Sequence, residues 1–188
     1  PSTITDFCTP LTTVTRLSGS TTGYLAVKPG PGHYEAMGFG QTCYATAGNF
    51  TGKPVYRRAG CYLHADAAAH LKTAIDLARP LGLRFKIFDA FRPAEAQWKM
   101  WNHTPNPEFL ADPRRGSPHS RGAAVDLTLV GSTGAELDMG TPFDALQTES
   151  HHAVTNIPEA AQRNRFLLLG LMTAAGWDFY RNEWWHYQ

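Results

Sequence analysis

The sequence predicts one α+β domain, with an antiparallel sheet covered by helices. Three observations lead there. Two long segments repeat apolar residues every three or four positions, as helices do. Shorter segments alternate apolar with polar residues, or are β-branched and aromatic, as strands are. The two kinds follow one another without the regular βαβ order that a parallel sheet requires. The 188 residues fit one domain by the usual ~100–200.

Residues 1–33 are rich in Thr, Ser, Gly and Pro, with only brief apolar stretches such as Tyr24-Leu25-Ala26-Val27. They read as an irregular arm or edge strand, and we take 1–39 as an N-terminal arm belonging to the same domain. Turn residues and aromatics alternate from Tyr44 to Tyr56. The first helix is predicted from Tyr62 to about Arg79, with Leu63, Ala67, His70 or Leu71, Ala74, Ile75 and Ala78 as its apolar face, closed by Pro80 and Gly82. Leu83 to Phe88 alternates apolar and basic residues, a half-buried strand. Pro93 suits the first turn of a helix reaching about Asn102, and the proline-rich 103–118 reads as a surface loop. A strand is expected over Val125–Val130 and a long connection over 131–157. Pro158 to Ala175 forms the second clear helix, with Phe166, Leu167, Leu169, Leu171 and Met172 as its apolar side and Gly176 beyond it. Trp177 to Tyr187 is aromatic and favours strand.

Composition removes several function classes. Hydrophobic residues make 43%, charged residues 18%, and the net charge is +1, so no basic footprint for nucleic acid or an anionic membrane exists. No apolar run approaches the ~20 residues of a membrane span. The chain opens on Pro1 without a Met, from which we expect a trimmed N-terminus. Cys8, Cys43 and Cys61 form no C-x-x-C pair, so thiolate zinc binding is not expected; one disulfide with one free thiol, or three buried thiols, are both open.

Chemistry concentrates in two separated stretches, Ser117-Pro118-His119-Ser120-Arg121-Gly122-Ala123-Ala124-Val125-Asp126 and Glu183-Trp184-Trp185-His186. Two imidazoles and one carboxylate, with a fourth position left to water, make a catalytic rather than a structural zinc site. Glu183 is then a spare carboxylate able to carry that water's proton. Each half alone has an ordinary reading. His119 and Asp126 can be a surface histidine and a turn residue, and Glu183-x-x-His186 can be an aromatic strand with incidental charges. In a regular strand residues three apart point oppositely, so a bend is needed to aim both at one ion. Asp89 and Arg92 either cap the next helix as an ion pair or present a guanidinium to a developing oxyanion. Of His151 and His152, at most one is expected in supporting hydrogen bonds. His33, His64, His70 and His103 read as ordinary core or surface residues.

Taken jointly, these residues resemble the D-alanyl-D-alanine dipeptidases of the VanX type, zinc metallopeptidases related to D,D-carboxypeptidases and to the hedgehog signalling domain. Ser117, His119, Gly122, Ala124 and Asp126 match the family's S-x-H-x-x-G-x-A-x-D pattern, and Glu183, Trp185 and His186 its E-x-W-H. Tyr44-Ala45-Thr46, Asn49 to Val55, Asp89-Ala90-Phe91-Arg92-Pro93, Met139-Gly140, Phe143-Asp144 and Ser150-His151-His152 extend the likeness over residues 40–188, the expected catalytic domain. The family often has a second serine where this chain has Pro118.

The resemblance implies a hedgehog/DD-peptidase-like fold and one Zn2+ on His119, Asp126 and His186. It implies Glu183 as catalytic base and Arg92 as transition-state stabiliser. Tyr44, Asp89, Ser117 and Asp144 would line a small pocket, with Asp144 on the substrate's ammonium. The implied reaction is hydrolysis of free D-Ala-D-Ala, in peptidoglycan precursor depletion or cell-wall dipeptide recycling. A zinc D,D-carboxypeptidase or dual-function enzyme trimming stem peptides is the alternative. The expected partner is a small dipeptide, not nucleic acid or membrane. The Thr/Ser-rich arm and the cysteines point to an exported, periplasmic enzyme, with the cytoplasm as the alternative.

Overall fold

A computed structural model describes residues 11–16, 24–29, 43–57 and 61–188. Strands β1 (Leu11–Arg16), β2 (Tyr24–Pro29) and β3 (Tyr62–His64) form one three-stranded antiparallel sheet. Strands β4 (Arg84–Asp89), β5 (Val125–Val130) and β6 (His186–Tyr187) form a second, in that order. Among the described residues three helices, α1 (Ala65–Ala78), α2 (Ala94–His103) and α3 (Glu159–Ala174), complete an α+β architecture with two sheets where the sequence suggested one. None of these helices is long and apolar enough to cross a membrane.

The first helix starts three residues later than its periodicity suggests. Tyr62–His64 pairs with β2, a partner more than thirty residues away that local spacing does not reveal. His64 caps α1, its ring nitrogen accepting from the Asp66 amide, and Asp66 favours the positive end of the helix dipole. Ala67, Ala68, Leu71, Ala74 and Ala78 form its buried stripe, so Leu71 and not His70 faces inward. In α3 the buried stripe is Ala161, Arg165, Leu168, Leu171 and Met172. Phe166, assigned to the apolar side from sequence, is 58% exposed. The run from Phe166 to Met172 is apolar all round, so periodicity does not select a face there.

The helical layer meets the second sheet through β5, whose six residues are all buried. Strand alternation sends Val125, Leu127 and Leu129 toward Leu71, Leu168 and Met172 in the main core. Each such Leu or Met contributes about 1.5–3 kcal/mol by leaving water. Asp126 and Thr128 face the other way. β4 would by the same alternation turn Asp89 toward the core. Its register instead shifts by one residue between Ile87 and Asp89, a bulge that sets Asp89 opposite Asp126. On the other side Asp126 pairs with His186. Asp89, Asp126 and His186 therefore form one row across three strands, on one face.

A second core cluster, Tyr44, Val55, Ala96, Met100 and Leu110, closes the edge beside that row. Leu110 belongs to 103–118, so this stretch is a packed wall and not only a surface loop. Cys43 and Cys61 pack partly buried against the main core, while Cys8 and His33 lie outside the described residues.

Candidate active site

The chain reverses sharply before β5. His119–Arg121 make one 3₁₀ turn, and Gly122 ends it at φ 66°, a left-handed conformation that costs glycine little. This reversal lets His119 come back over the start of β5, where it meets Asp126. His119 Nδ1 lies 2.7 Å from the Ala90 carbonyl. A carbonyl only accepts, so the proton sits on Nδ1 and the lone pair of Nε2 points inward.

That lone pair faces His186 Nδ1 at 3.1 Å. His186 Nε2 is 3.3 Å from the Gln188 side-chain oxygen, which assigns its proton to the outer nitrogen as well. Asp126 stands between the two rings, 3.0 Å from His186 Nδ1 and 3.3 Å from His119 Nε2. Burial alone would raise the Asp126 carboxyl; the two imidazoles outweigh it and hold it well below the usual carboxylate range. Two imidazole nitrogens and a carboxylate thus converge on one point. Water would hydrate such a cluster at the surface, but all three residues are buried. These three form a group that can hold a metal ion.

The tail brings His186 here by a turn. Asp178 and Gln188 exchange backbone hydrogen bonds, and Tyr180 donates to the His186 carbonyl. Between them the Glu183 amide bonds to the Tyr180 carbonyl and the His186 amide to the Glu183 carbonyl. The bend needed to aim residues three apart at one point is therefore present. Glu183 lies 3.8 Å from His186 Nδ1, buried, with no cation hydrogen-bonded to it among the described residues. Burial first, then the charges of Asp126 and Asp144, push its carboxyl well above its ordinary value, and Arg92 only partly opposes them.

Arg92 enters from the end of β4. Its Nε and Nη2 each lie 2.9 Å from Asp89 Oδ2. Nη1 donates to Gln97 at 3.0 Å, and Nη2 is 3.6 Å from Asp126. Its guanidinium carbon lies 5.1 Å over the Tyr44 ring. Burial opposes this charge, but Asp89 together with Tyr44, Tyr56 and Asp126 outweighs it, so Arg92 stays protonated. Asp89, grouped with the pocket from sequence, does not line it. It is fully buried behind Arg92, where the Tyr56 hydroxyl donates to it at 2.8 Å.

The remaining residues form a cavity of about 200 Å³ lined by Tyr44, Arg92, Ser117, the metal-site trio, Asp144 and Glu183, with Phe109 and Tyr180 among its outer wall. The Tyr44 hydroxyl donates to Asp144 at 2.7 Å. Asp144 sits at φ 64°, unusual for a non-glycine residue. Burial, with Asp126 nearby, pushes its carboxyl up to about 7 despite the Tyr44 bond. Ser117 Oγ accepts from the His119 amide at 3.2 Å. His151 pairs with Glu108 at 3.3 Å, and the His152 ring packs on Phe179, so neither joins the metal group.

Sequence reasoning missed Tyr56 and Gln97. Tyr56 leaves no local signal for a contact 33 residues away. Gln97 had one: it shares the buried face of α2 with Ala96 and Met100, a polar side chain on an apolar stripe. There it joins Arg92 to the Ala111 carbonyl of the outer wall, at 2.7 Å.

Residues 37–188 match the D-ala-D-ala dipeptidase model of the peptidase M15 family. The chain is 46% identical over 145 residues to the D-alanyl-D-alanine dipeptidase of Escherichia coli K12, covering 77% of this chain and 75% of that one. It is 36% identical over 168 residues to the D-alanyl-D-alanine dipeptidase of Enterococcus faecium, and 37% identical over 165 residues to that of Streptomyces coelicolor, with 77% of this chain and 82% of each relative covered.

Proposed function

The chain belongs to the peptidase M15 family of D-ala-D-ala dipeptidases, and from that premise we propose that it hydrolyses free D-Ala-D-Ala to two D-alanines with the help of one zinc ion. The observation that carries this reading is the meeting of a buried His-Asp-His group with Glu183, Arg92 and Asp144 around one cavity.

Zinc fits the donor set. Ligand atoms ~2.0–2.1 Å from a tetrahedral zinc lie roughly 3.3 Å from one another. His119 Nε2 and His186 Nδ1 stand 3.1 Å apart, and Asp126 offers one oxygen to each ring, Oδ1 at 3.0 Å from His186 and Oδ2 at 3.3 Å from His119. His119 and His186 supply neutral nitrogens and Asp126 a carboxylate. When bound, the ion supplies Lewis-acid polarisation of a carbonyl and a water of lowered pKa.

The chain's own groups do the rest. Glu183 accepts a proton from the attacking water and passes it to the leaving amine. Burial raises its affinity for a proton, which suits a group that must take one from water. Arg92, held from behind by Asp89, Gln97 and Tyr44, presents a fixed positive charge to the oxygen that gains negative charge. Asp144, oriented by Tyr44, receives the substrate's ammonium. The cavity is smaller than the ~300–1,000 Å³ of pockets for drug-sized ligands. A longer peptide would leave buried charge unmatched, which selects a free dipeptide.

We assign the fold to the hedgehog/DD-peptidase type, supported by the antiparallel β4–β5–β6 sheet that carries the donor row. Recovery of cell-wall dipeptide by an exported enzyme is the physiological role proposed, on the Thr/Ser-rich arm and the cysteines. Assay of purified, zinc-loaded protein on free D-Ala-D-Ala beside an N-acylated peptide ending in D-Ala-D-Ala tests the activity. Turnover of the first alone is expected, and turnover of only the second would overturn the dipeptidase reading. Fractionation of producing cells tests the compartment.

A further inference from the structure

Arg165 is a buried cation with no role in the chemistry above. It projects from α3 and is 4% exposed. Its Nε donates to the Met139 carbonyl at 2.7 Å, and its Nη1 to the carbonyls of Glu149 and His151 at 2.9 and 3.0 Å. Its Nη2 donates to the Thr141 hydroxyl at 3.3 Å. No carboxylate among the described residues pairs with it. Burial lowers its pKa to about 10, which still leaves it charged at neutral pH. A guanidinium that gathers neutral acceptors has left water to organise a segment, here 139–151, the connection that bears Asp144.

The Thr141 hydroxyl carries that organisation further. The Trp184 indole also donates to it, at 2.9 Å. Thr141 Oγ1 lies 3.0 Å from Ser150 Oγ, and Ser150 Oγ donates to the Ala145 carbonyl. Ser150 has spent its only proton on that carbonyl, so Thr141 must be the donor between the two hydroxyls. Every direction is then fixed: Arg165 and Trp184 donate to Thr141, Thr141 to Ser150, and Ser150 to Ala145. The relay begins one residue after Glu183 and ends one residue after Asp144. A backbone bond from the Trp184 amide to the Ser150 carbonyl, at 3.0 Å, runs beside it. Thr141 and Ser150 are buried, so water does not replace a lost link.

We propose that Arg165 and Thr141 are positioning residues that set the distance between Glu183 and Asp144, the two carboxylates assigned above to the substrate's proton traffic and to its ammonium. The role rests on the dipeptidase reading. It explains why a turn from the tail and a loop from the middle of the chain present their carboxylates to one small cavity. Neither segment is a regular element that could hold such a spacing alone.

The test compares Thr141→Val, which keeps the shape and removes the hydroxyl, with Thr141→Ser, which keeps the hydroxyl. Steady-state kinetics on D-Ala-D-Ala are normalised to bound metal. Thr141→Val is expected to lose roughly 10- to 100-fold in kcat/KM, with KM raised and kcat lowered together. Thr141→Ser is expected to restore both. A purely structural role would scale kcat with the folded fraction and leave KM alone, so a parental KM in Thr141→Val overturns the proposal. Failure of Thr141→Ser to restore the kinetics overturns it too. Should Thr141→Val not fold, Ser150→Ala cuts the next link and is read in the same way. Parent protein inert on the dipeptide sinks the dipeptidase reading and this role together. An active parent with an unaffected Thr141→Val sinks this role alone.

Discussion

Asp89 holds Arg92 from behind, with both Nε and Nη2 of the guanidinium 2.9 Å from one carboxylate oxygen. The charge offered to the cavity is thus fixed in direction before any substrate arrives. Arg92→Lys keeps the charge and loses the fork. We expect kcat on D-Ala-D-Ala to fall roughly 10²–10³-fold, in the range found for a lost oxyanion donor. Asp89→Ala leaves a buried cation short of its partner and is expected to destabilise by about 3–5 kcal/mol. Kinetics and denaturant unfolding check the two; parental kcat in Arg92→Lys removes Arg92 from the transition state.

His119→Ala and His186→Ala each remove one of the two inward lone pairs. Metal content measured on purified protein is expected to fall from about one ion per chain toward zero. In the parent, a chelator is expected to lower Tm and added zinc to restore it, because an ion that binds only the folded chain stabilises it by mass action. The chelator effect on Tm is expected to vanish in both variants. Full metal occupancy in either one counts against that histidine as a ligand.

Glu183→Gln keeps the shape of the side chain and its place beside the metal group, and removes the proton carrier. Metal content is expected to be unchanged while kcat falls roughly 10²–10⁴-fold. A variant that holds its ion and turns over at the parental rate ends the assignment of Glu183 as base.

Asp144 combines a strained backbone with a carboxyl raised from its ordinary 3.8 to about 7. Between those values the folded state holds a proton that the unfolded state has lost, so this group's contribution to stability declines as pH rises from about 4 to about 7. Asp144→Asn removes the penalty, and asparagine tolerates the same φ. In chelated protein it is expected to raise Tm at pH 8 and to leave it unchanged near pH 4. At ~1.4 kcal/mol per pH unit the gain has a ceiling of about 4 kcal/mol. The same change is expected to raise KM for the dipeptide, since an amide does not neutralise an ammonium. Thermal melts at the two pH values, with KM beside them, decide it; a variant less stable at pH 8 contradicts the penalty assigned to the buried carboxylate.

Much of this site was legible in sequence because its signals are local. His119, Gly122 and Asp126 lie within one reversal of the chain, and the need for a bend between Glu183 and His186 follows from strand periodicity alone. What escaped depends on contacts across long separations. The start of α1 was misplaced because β2 claims Tyr62–His64. On α3, Leu171 and Met172 face inward as expected, while Phe166 is exposed and Leu168 takes its place, because the apolar run is continuous. Arg165, a charge on the stripe shared by Ala161, Leu168 and Met172, carried the information that would have chosen the face. Asp89 was placed on the pocket wall because no local pattern reports the bulge after Ile87 or the phenol of Tyr56 behind it.

The row Asp89–Asp126–His186 makes alignment of the second sheet a gauge of its chemistry. Side chains change sides with every step along a strand, so sliding β6 by a single residue against β5 would carry His186 away from its neighbours while leaving the strand paired. Lesions in the aromatic tail are therefore expected to produce an inert, ion-free protein whose circular dichroism looks healthy. Ion stoichiometry, rather than secondary structure, is the proper quality measure for this chain.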